Sequence, residues 1–561
     1  MIYTITHDKL QSVVSMEAGE ARQRLFHRRA LHLLQETECS ATELAHHALL
    51  AEEWKEAFRY YVQAGDEAMM VFAIHNAITH YTQARTLIMA GSSNPVPLMV
   101  APESDRLHLY EQLGRAHEFV SAWVEAQESY EAMLAEAKLA GNKEMEWNAL
   151  HHLTDLGTGQ VLSPQSNKPL LWAGRPIVKE HDTEEEKTKI ITSSSSATHV
   201  HWNSSITYNY AQQALELARA LRRQDLIALS ALSFGILNLY LGRWEEAAEM
   251  VEEARILSIA MGNRALEAES LGALSSALTP CGRPQEAVHA GRTALNIGKD
   301  LGNEYTVAIN TMSLVKGLID MGTYAEAVII ARNGLVVARK LDSAPLVFLN
   351  LMTLGDAQRA LLRLKEARET YIEALSVVVF PQYNGVIAAD LCAIASLNEE
   401  WTEAYTWAKQ AQEARNGLLL PVSDLHYWHE TQALLHGGEV TQAKEGIQQL
   451  GKHIGTNRRF RVAYLRSLAV LAQHNARVEQ AIDHLREAAS LSLEIGLPGE
   501  LRCIQAAIGV LYQKRKETEQ AHKAFRDAAA VLHALAEQMQ DEVLRCNFLD
   551  APLIQHILKS T

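Results

Sequence analysis

The chain has 561 residues, of which 48% are apolar and 21% charged, the balance of an ordinary globular protein. A net charge of −15 argues against nucleic acid as a direct ligand of the whole chain, because phosphate binding draws on Lys and Arg. No stretch of about 18 apolar residues is available to span a membrane, and Met1–His7 lacks the charged and apolar regions of a secretory signal. A cytoplasmic protein is therefore expected. The five cysteines (Cys39, Cys281, Cys392, Cys503 and Cys546) are widely spaced, and none forms a C-x-x-C pair. That spacing predicts reduced, mostly buried thiols.

In chain order, residues 1–35 stand apart. The segment Tyr3–Leu10 alternates like a short strand, and a basic helix carrying Arg22, Arg24, Arg28 and Arg29 follows. From residue 36 onward one signature recurs ten times: a variable, usually large residue, two variable residues, then Ala. It reads Trp54-x-x-Ala57, Trp123-x-x-Ala126, Trp244-x-x-Ala247, Pro284-x-x-Ala287 and Tyr324-x-x-Ala327. It goes on as Leu364-x-x-Ala367, Trp401-x-x-Ala404, Val440-x-x-Ala443, Val478-x-x-Ala481 and Thr518-x-x-Ala521. From Ala247 the alanines lie 40, 40, 40, 37, 39, 38 and 40 residues apart. A period in this range predicts an all-α solenoid of stacked helical hairpins.

Within one repeat, residues 264–302, Leu266, Leu271, Leu274 and Leu278 give a first amphipathic helix. Pro280 and Gly282 break it, and Pro284 starts a second helix where its missing N–H costs nothing. That helix is expected to stop at a Gly302-Asn303 C-cap. Seven residues beyond the signature Ala, small residues recur at Ala64, Ala254, Ala294, Gly334, Ala374, Ala411, Ala488 and Ala528. Two helical turns separate the paired small residues, so both are expected to permit close helix approach. The large residue of the signature is expected to fill the gap at the hairpin corner.

Between Ala126 and Ala247 lie 121 residues, room for about three repeats, yet only one extra hairpin can be traced. Its helices are expected around Glu144–Leu156 and Tyr208–Leu221, with Ala214 one 40-residue step before Ala254. The intervening 158–204 is charged and serine-rich, predicting a disordered insertion. A tethered segment carrying Leu171-Trp172 is the alternative. The expected organisation is a distinct start (1–35), N-terminal repeats (36–157), the insertion (158–204), a main array (205–540) and a capping segment (541–561).

The period and the small-residue positions resemble the tetratricopeptide family in a 40-residue form found in bacterial regulators. The resemblance implies a right-handed superhelix whose first helices line a concave groove. Residues 1–35, Glu43–Ala48, Trp54–Phe58 and Asp541–Leu549 resemble the C-terminal half of STAND-type ATPase transcriptional regulators. No G-x-x-x-x-G-K-[ST] phosphate loop occurs, so on that resemblance the chain is a sensor half lacking its own ATPase and DNA-binding domains.

Candidate binding residues come from register. Asn310 and Asn350 occupy one position of consecutive first helices, as do Ser313 and Thr353, and Lys316 and Asp356. Stacked amides along a groove suit an extended peptide backbone, having donors and acceptors alike. Arg359, Tyr464 and Arg466 extend that surface. His426, His429 and His436, with Glu430, share a helical face, but without H-E-x-x-H they read as a polar groove rather than a zinc site. Arg458-Arg459-Phe460-Arg461 is a weak nucleic-acid signal. With no catalytic constellation, the expectation is a non-enzymatic scaffold without metal or cofactor. It would bind protein or peptide partners, an ATPase or regulator domain possible among them, but neither nucleic acid nor membrane directly.

Overall fold

A computed structural model of the chain describes residues 19–37, 39–89, 101–120, 122–162, 204–377, 384–415, 425–455 and 457–561. The strand expected at Tyr3–Leu10, Leu171-Trp172 and nearly all of the expected insertion lie outside the described residues. Among the described residues every regular element is a helix. The chain divides into two compact units, one reaching to Gly157 and one taking in all residues from Ala173.

The first unit contains α1 (Glu20–Gln35), α2 (Ala41–Leu50), α3 (Trp54–Met70), α4 (Ile74–Met89), α5 (Glu103–Phe119) and α6 (Trp123–Ala140), and α7 (Lys143–Leu162) begins in it. On α1, Arg24 and Arg28 pair with Glu52 and Glu53, both at 2.7 Å, on an exposed face. The basic helix is thus a solvated surface with local ion pairs, of the kind worth about 0–1 kcal/mol each. An eleventh signature, Ile74-x-x-Ala77 with Ala84 seven residues on, opens α4, and both alanines are fully buried.

The second unit opens with α8 (Ser204–Leu221), α9 (Gln224–Tyr240), α10 (Trp244–Ala260), α11 (Arg264–Leu278) and α12 (Pro284–Asp300). It continues through α13 (Glu304–Asp320), α14 (Tyr324–Lys340), α15 (Ala344–Ala360), α16 (Leu364–Ser376), α17 (Asn384–Leu397), α18 (Trp401–Arg415) and α19 (Tyr427–His436). It closes with α20 (Val440–His453), α21 (Arg458–His474), α22 (Val478–Ile495), α23 (Pro498–Lys514), α24 (Thr518–Glu537), α25 (Glu542–Asp550) and α26 (Pro552–Lys559). Consecutive helices pack in antiparallel hairpins and the first helices of successive hairpins also touch, α11 on α13 and α13 on α15. This is an all-α solenoid. The helices expected as one extra hairpin are α7 and α8, and they fall to different units.

All ten signatures open a helix at their first residue, and every signature Ala is at most 2% exposed. Four residues after the Ala, a larger side chain enters a glycine notch on the preceding helix. Tyr81 meets Gly65, Tyr130 meets Gly114, Val251 meets Gly235, Tyr371 meets Gly355 and Phe525 meets Gly509, each where a Cβ would stand within 3 Å of the inserted side chain. The three buried tyrosines place their hydroxyls on carboxylates: Asp66 at 2.7 Å, Glu118 at 2.5 Å and Asp356 at 2.6 Å.

Turns between helices carry a left-handed residue every 20 positions, at Arg222, Gly242, Gly262, Gly282, Gly302, Gly322, Asp342 and Leu362. Gly302 does end α12 this way, but Asn303 belongs to the next helix, its side chain accepting from the Thr306 N–H at 3.0 Å. The cysteines are all free, but only Cys392 is buried and Cys546 is exposed, so the expectation of mostly buried thiols is corrected.

At two signatures the large residue does more than fill the hairpin corner. Trp244 packs with Tyr427, Leu450, Ile454 and Phe460, residues two hundred positions away, its ring centroid 4.9 Å from that of Phe460. Tyr324 lies against Phe548 and Gly499. The Asn457 amide donates to the Pro280 carbonyl at 2.8 Å, and Gly322 abuts Leu535 and Pro498. The solenoid therefore coils until repeats near residues 244–324 meet those near 427–548. The signature aromatics at these positions join successive turns, because coiling turns the start of these second helices toward the later repeats.

Candidate functional site

Coiling encloses space on the inner side. A cavity of about 1000 Å3 is lined by α11, α13, α15, α17, α19, α21 and α23, with Leu553, His556 and Ile557 of α26. Its walls are chiefly first helices, with Tyr324 of α14 and Leu485 of α22 added from second helices.

The polar lining is built from cross-repeat ion pairs. Arg459 grips Asp320 with two bonds of 2.7 and 2.9 Å, both side chains nearly buried. Arg359 reaches Asp390 at 3.2 Å and Asp356 at 3.9 Å. Arg466 is paired with Glu500, and its guanidinium also lies 4.0 Å from the Trp428 ring centroid. Arg502 is 7% exposed and interacts with the Tyr324 hydroxyl and the Phe548 ring. Among the described residues no carboxylate oxygen forms an ion pair with it, and its Nε has no hydrogen-bond partner.

His426 sits amid this group. Burial, and then the positive charges of Arg359, Arg466, Arg459 and Arg502, hold its imidazole well below the usual histidine range, so it is neutral at pH 7. His429 lies tilted against Trp428 with centroids 3.6 Å apart, and His436 lies flat on Trp401 at 3.7 Å. All three histidines line the cavity. Among the described residues, no group of three or more His, Cys, Asp or Glu is arranged to hold a metal ion.

The register-derived residues divide in two. Ser313, Lys316, Asp356 and Arg359 line the cavity, with Ser313 bonded to Ser276 at 2.6 Å. Asn310, Asn350 and Thr353 do not; they are at most 4% exposed. The Asn350 amide donates to the carbonyls of Leu346 and Ala308, Asn310 occupies the space beside Gly272 that a Cβ would fill, and Thr353 bonds its own helix at Leu349. The Asn350 amide ties two first helices together, Asn310 is packed beside Gly272, and neither side chain lines the cavity. Arg466 belongs to the lining and Tyr464 does not. In the basic run, Arg459 is the buried partner of Asp320, while Arg458 and Arg461 are paired with Glu494 and Glu487.

Sequence reasoning missed Asp320, Asp390, Trp428, Glu500 and Arg502. One signal was available. The register of Lys316 and Asp356 extends back to Ser276, and the residues one helical turn later (Pro280, Asp320 and Ala360) line the same wall. Nothing in the sequence pairs Asp320 with Arg459, which are 139 residues apart.

No protein-family model matches this chain, and no curated protein does. Among solved structures it is similar to the APC/C hetero-tetramer Cut9-Hcn1, at a TM-score of 0.47 and 16% identity over 98% of this chain and 97% of that one. It is also similar to a Rap protein complexed with competence and sporulation factor, at a TM-score of 0.34 and 11% identity, covering 86% of this chain and 100% of that one. The apo form of RapI gives a TM-score of 0.33 and 11% identity over 64% and 97%. Likeness at this level says nothing about ligand or activity.

Proposed function

We propose that the chain is a non-enzymatic, tetratricopeptide-type binding scaffold that receives a peptide or protein segment inside its coiled second unit. The observation that carries this reading is the cavity, whose lining spans repeat after repeat on first helices and mixes apolar side chains with a few buried polar groups. Its carboxylates argue against catalysis. Asp320, Asp390 and Glu500 are each paired with a guanidinium rather than left free to move protons.

A second reading, a sensor of a small effector within a larger regulator, is favoured by the cavity's size. About 1000 Å3 matches the upper end of ordinary small-molecule sites, which run to about 1000 Å3.

The test is occupancy. Ala506 lines the cavity, so Ala506→Trp should place an indole in it and obstruct a ligand that spans its width. Purified chain incubated with extract of its own source should retain a peptide, protein or small molecule that the folded Ala506→Trp chain does not retain. Equal retention by both would overturn the assignment of the cavity as the binding site.

A further inference from the structure

The cavity's charge runs against that of the chain. Among the described residues, six cationic side chains line it, Lys316, Arg359, Arg459, Arg466, Arg502 and Lys514, against the four carboxylates Asp320, Asp356, Asp390 and Glu500. The whole chain carries −15. Three of the arginines are neutralised by the cross-repeat pairs described above. Lys316, Arg502 and Lys514 form no ion pair with a carboxylate among the described residues.

Arg502 is the informative member. A guanidinium taken out of water is costly unless it is paired and its N–H groups are satisfied. Arg502 is over nine-tenths buried and lines the cavity, yet its Nε has no acceptor. The Trp428 indole N–H, also on the lining, is buried without an acceptor as well. Both stand on the lining of the one cavity, Trp428 beneath the Arg466 guanidinium. Unanswered donors, a buried cation that shares the Glu500 carboxylate with Arg466 and two lysines at more exposed positions describe a wall short of anions. Guanidinium and indole N–H groups are donors only, so what completes them must accept.

We infer that the cavity binds its ligand through an anionic group, a carboxylate or a phosphate, received by Arg502 and Trp428 and attracted by Lys316 and Lys514. This rests on the reading of the cavity as the binding site. Low-dielectric walls focus the field of these cations, so a small anion should find this site ahead of the acidic exterior.

The experiment titrates the full chain calorimetrically with inorganic phosphate and, separately, with citrate, in chloride buffer of matched ionic strength. Saturable binding of at least one anion is expected; tighter phosphate binding points to a phosphorylated ligand, tighter citrate binding to a carboxylate. Arg502→Gln should weaken the affinity about tenfold or more, the usual worth of a hydrogen bond to a charged group. Lys514→Gln, at an exposed position, should also weaken it and decides the matter if Arg502→Gln does not fold. No saturable binding of either anion, or unchanged affinity in the folded variants, overturns the inference. If Ala506→Trp still abolishes ligand retention, the anion inference alone falls. If Ala506→Trp has no effect, both readings fall.

Discussion

Removing the Asp320 carboxylate offers the sharpest test of how the coiled turn is held. Asp320 ends α13 and Arg459 opens α21, so their two bonds of 2.7 and 2.9 Å join successive turns of the solenoid. Charge centres about 4 Å apart attract by about 4 kcal/mol at an effective dielectric constant of about 20. Neither side chain can recover water when the other is lost, since they are 11% and 3% exposed. Asp320→Ala should therefore cost about 3–5 kcal/mol, the range for stranding one partner of a buried pair. Arg459→Met should cost a similar amount. The double variant removes both charges together and should recover to within about 1 kcal/mol of the parent or exceed it. Urea unfolding of the four proteins, followed by helical circular dichroism, supplies the cycle. A single Asp320→Ala cost under about 1 kcal/mol, or a double variant as unstable as the worse single one, would refute the claim that the pair is desolvated and mutually dependent.

Three further outcomes follow from the packing. Gly322 has φ +80°, and a Cβ there would lie 2.2 Å from Leu535 Cδ2 and 3.0 Å from Pro498 Cγ. Left-handed strain of about 1–2 kcal/mol and overpacking of about 1–3 kcal/mol should together make Gly322→Ala cost about 2–5 kcal/mol in urea unfolding; a neutral result would mean the turns are not in contact there. Trp244→Ala should cost about 3–5 kcal/mol, and its cost should shrink in a Phe460→Ala background, because the two rings pack on each other; strictly additive costs would contradict that contact. His426 has a depressed folded pKa, so the unfolded chain takes up a proton as pH falls through about 6.5 while the folded chain does not. Its contribution to stability is present above that pH and is lost below it. His426→Gln should flatten the fall in unfolding midpoint on going from neutral to mildly acidic pH, and an unchanged slope would mean His426 protonates without penalty.

Much of the architecture was written in local chemistry. A signature Ala three residues into each second helix, a proline at the first position of α12 and the 40-residue step are properties of neighbouring residues, and each maps onto a helix start in the structure. The glycine ladder at Gly242, Gly262, Gly282, Gly302 and Gly322 was equally open to reading, since glycine is the residue that adopts a left-handed turn at least cost. Ser313, Lys316 and Asp356, singled out by register, all line the cavity, because a solenoid repeats its faces.

Only the tertiary structure separated those residues from Asn310 and Asn350. On a helix, a difference of a few residues in position decides whether an amide meets a neighbouring backbone or open space. The meeting of Trp244 with Phe460, and of Asp320 with Arg459, depends on the coiling angle summed over several repeats, and no local pattern records that sum. A sequence with this period determines hairpins and their order. Where the coil closes, which aromatics seal it and which cations remain unanswered inside are decided by small rotations accumulated from one hairpin to the next.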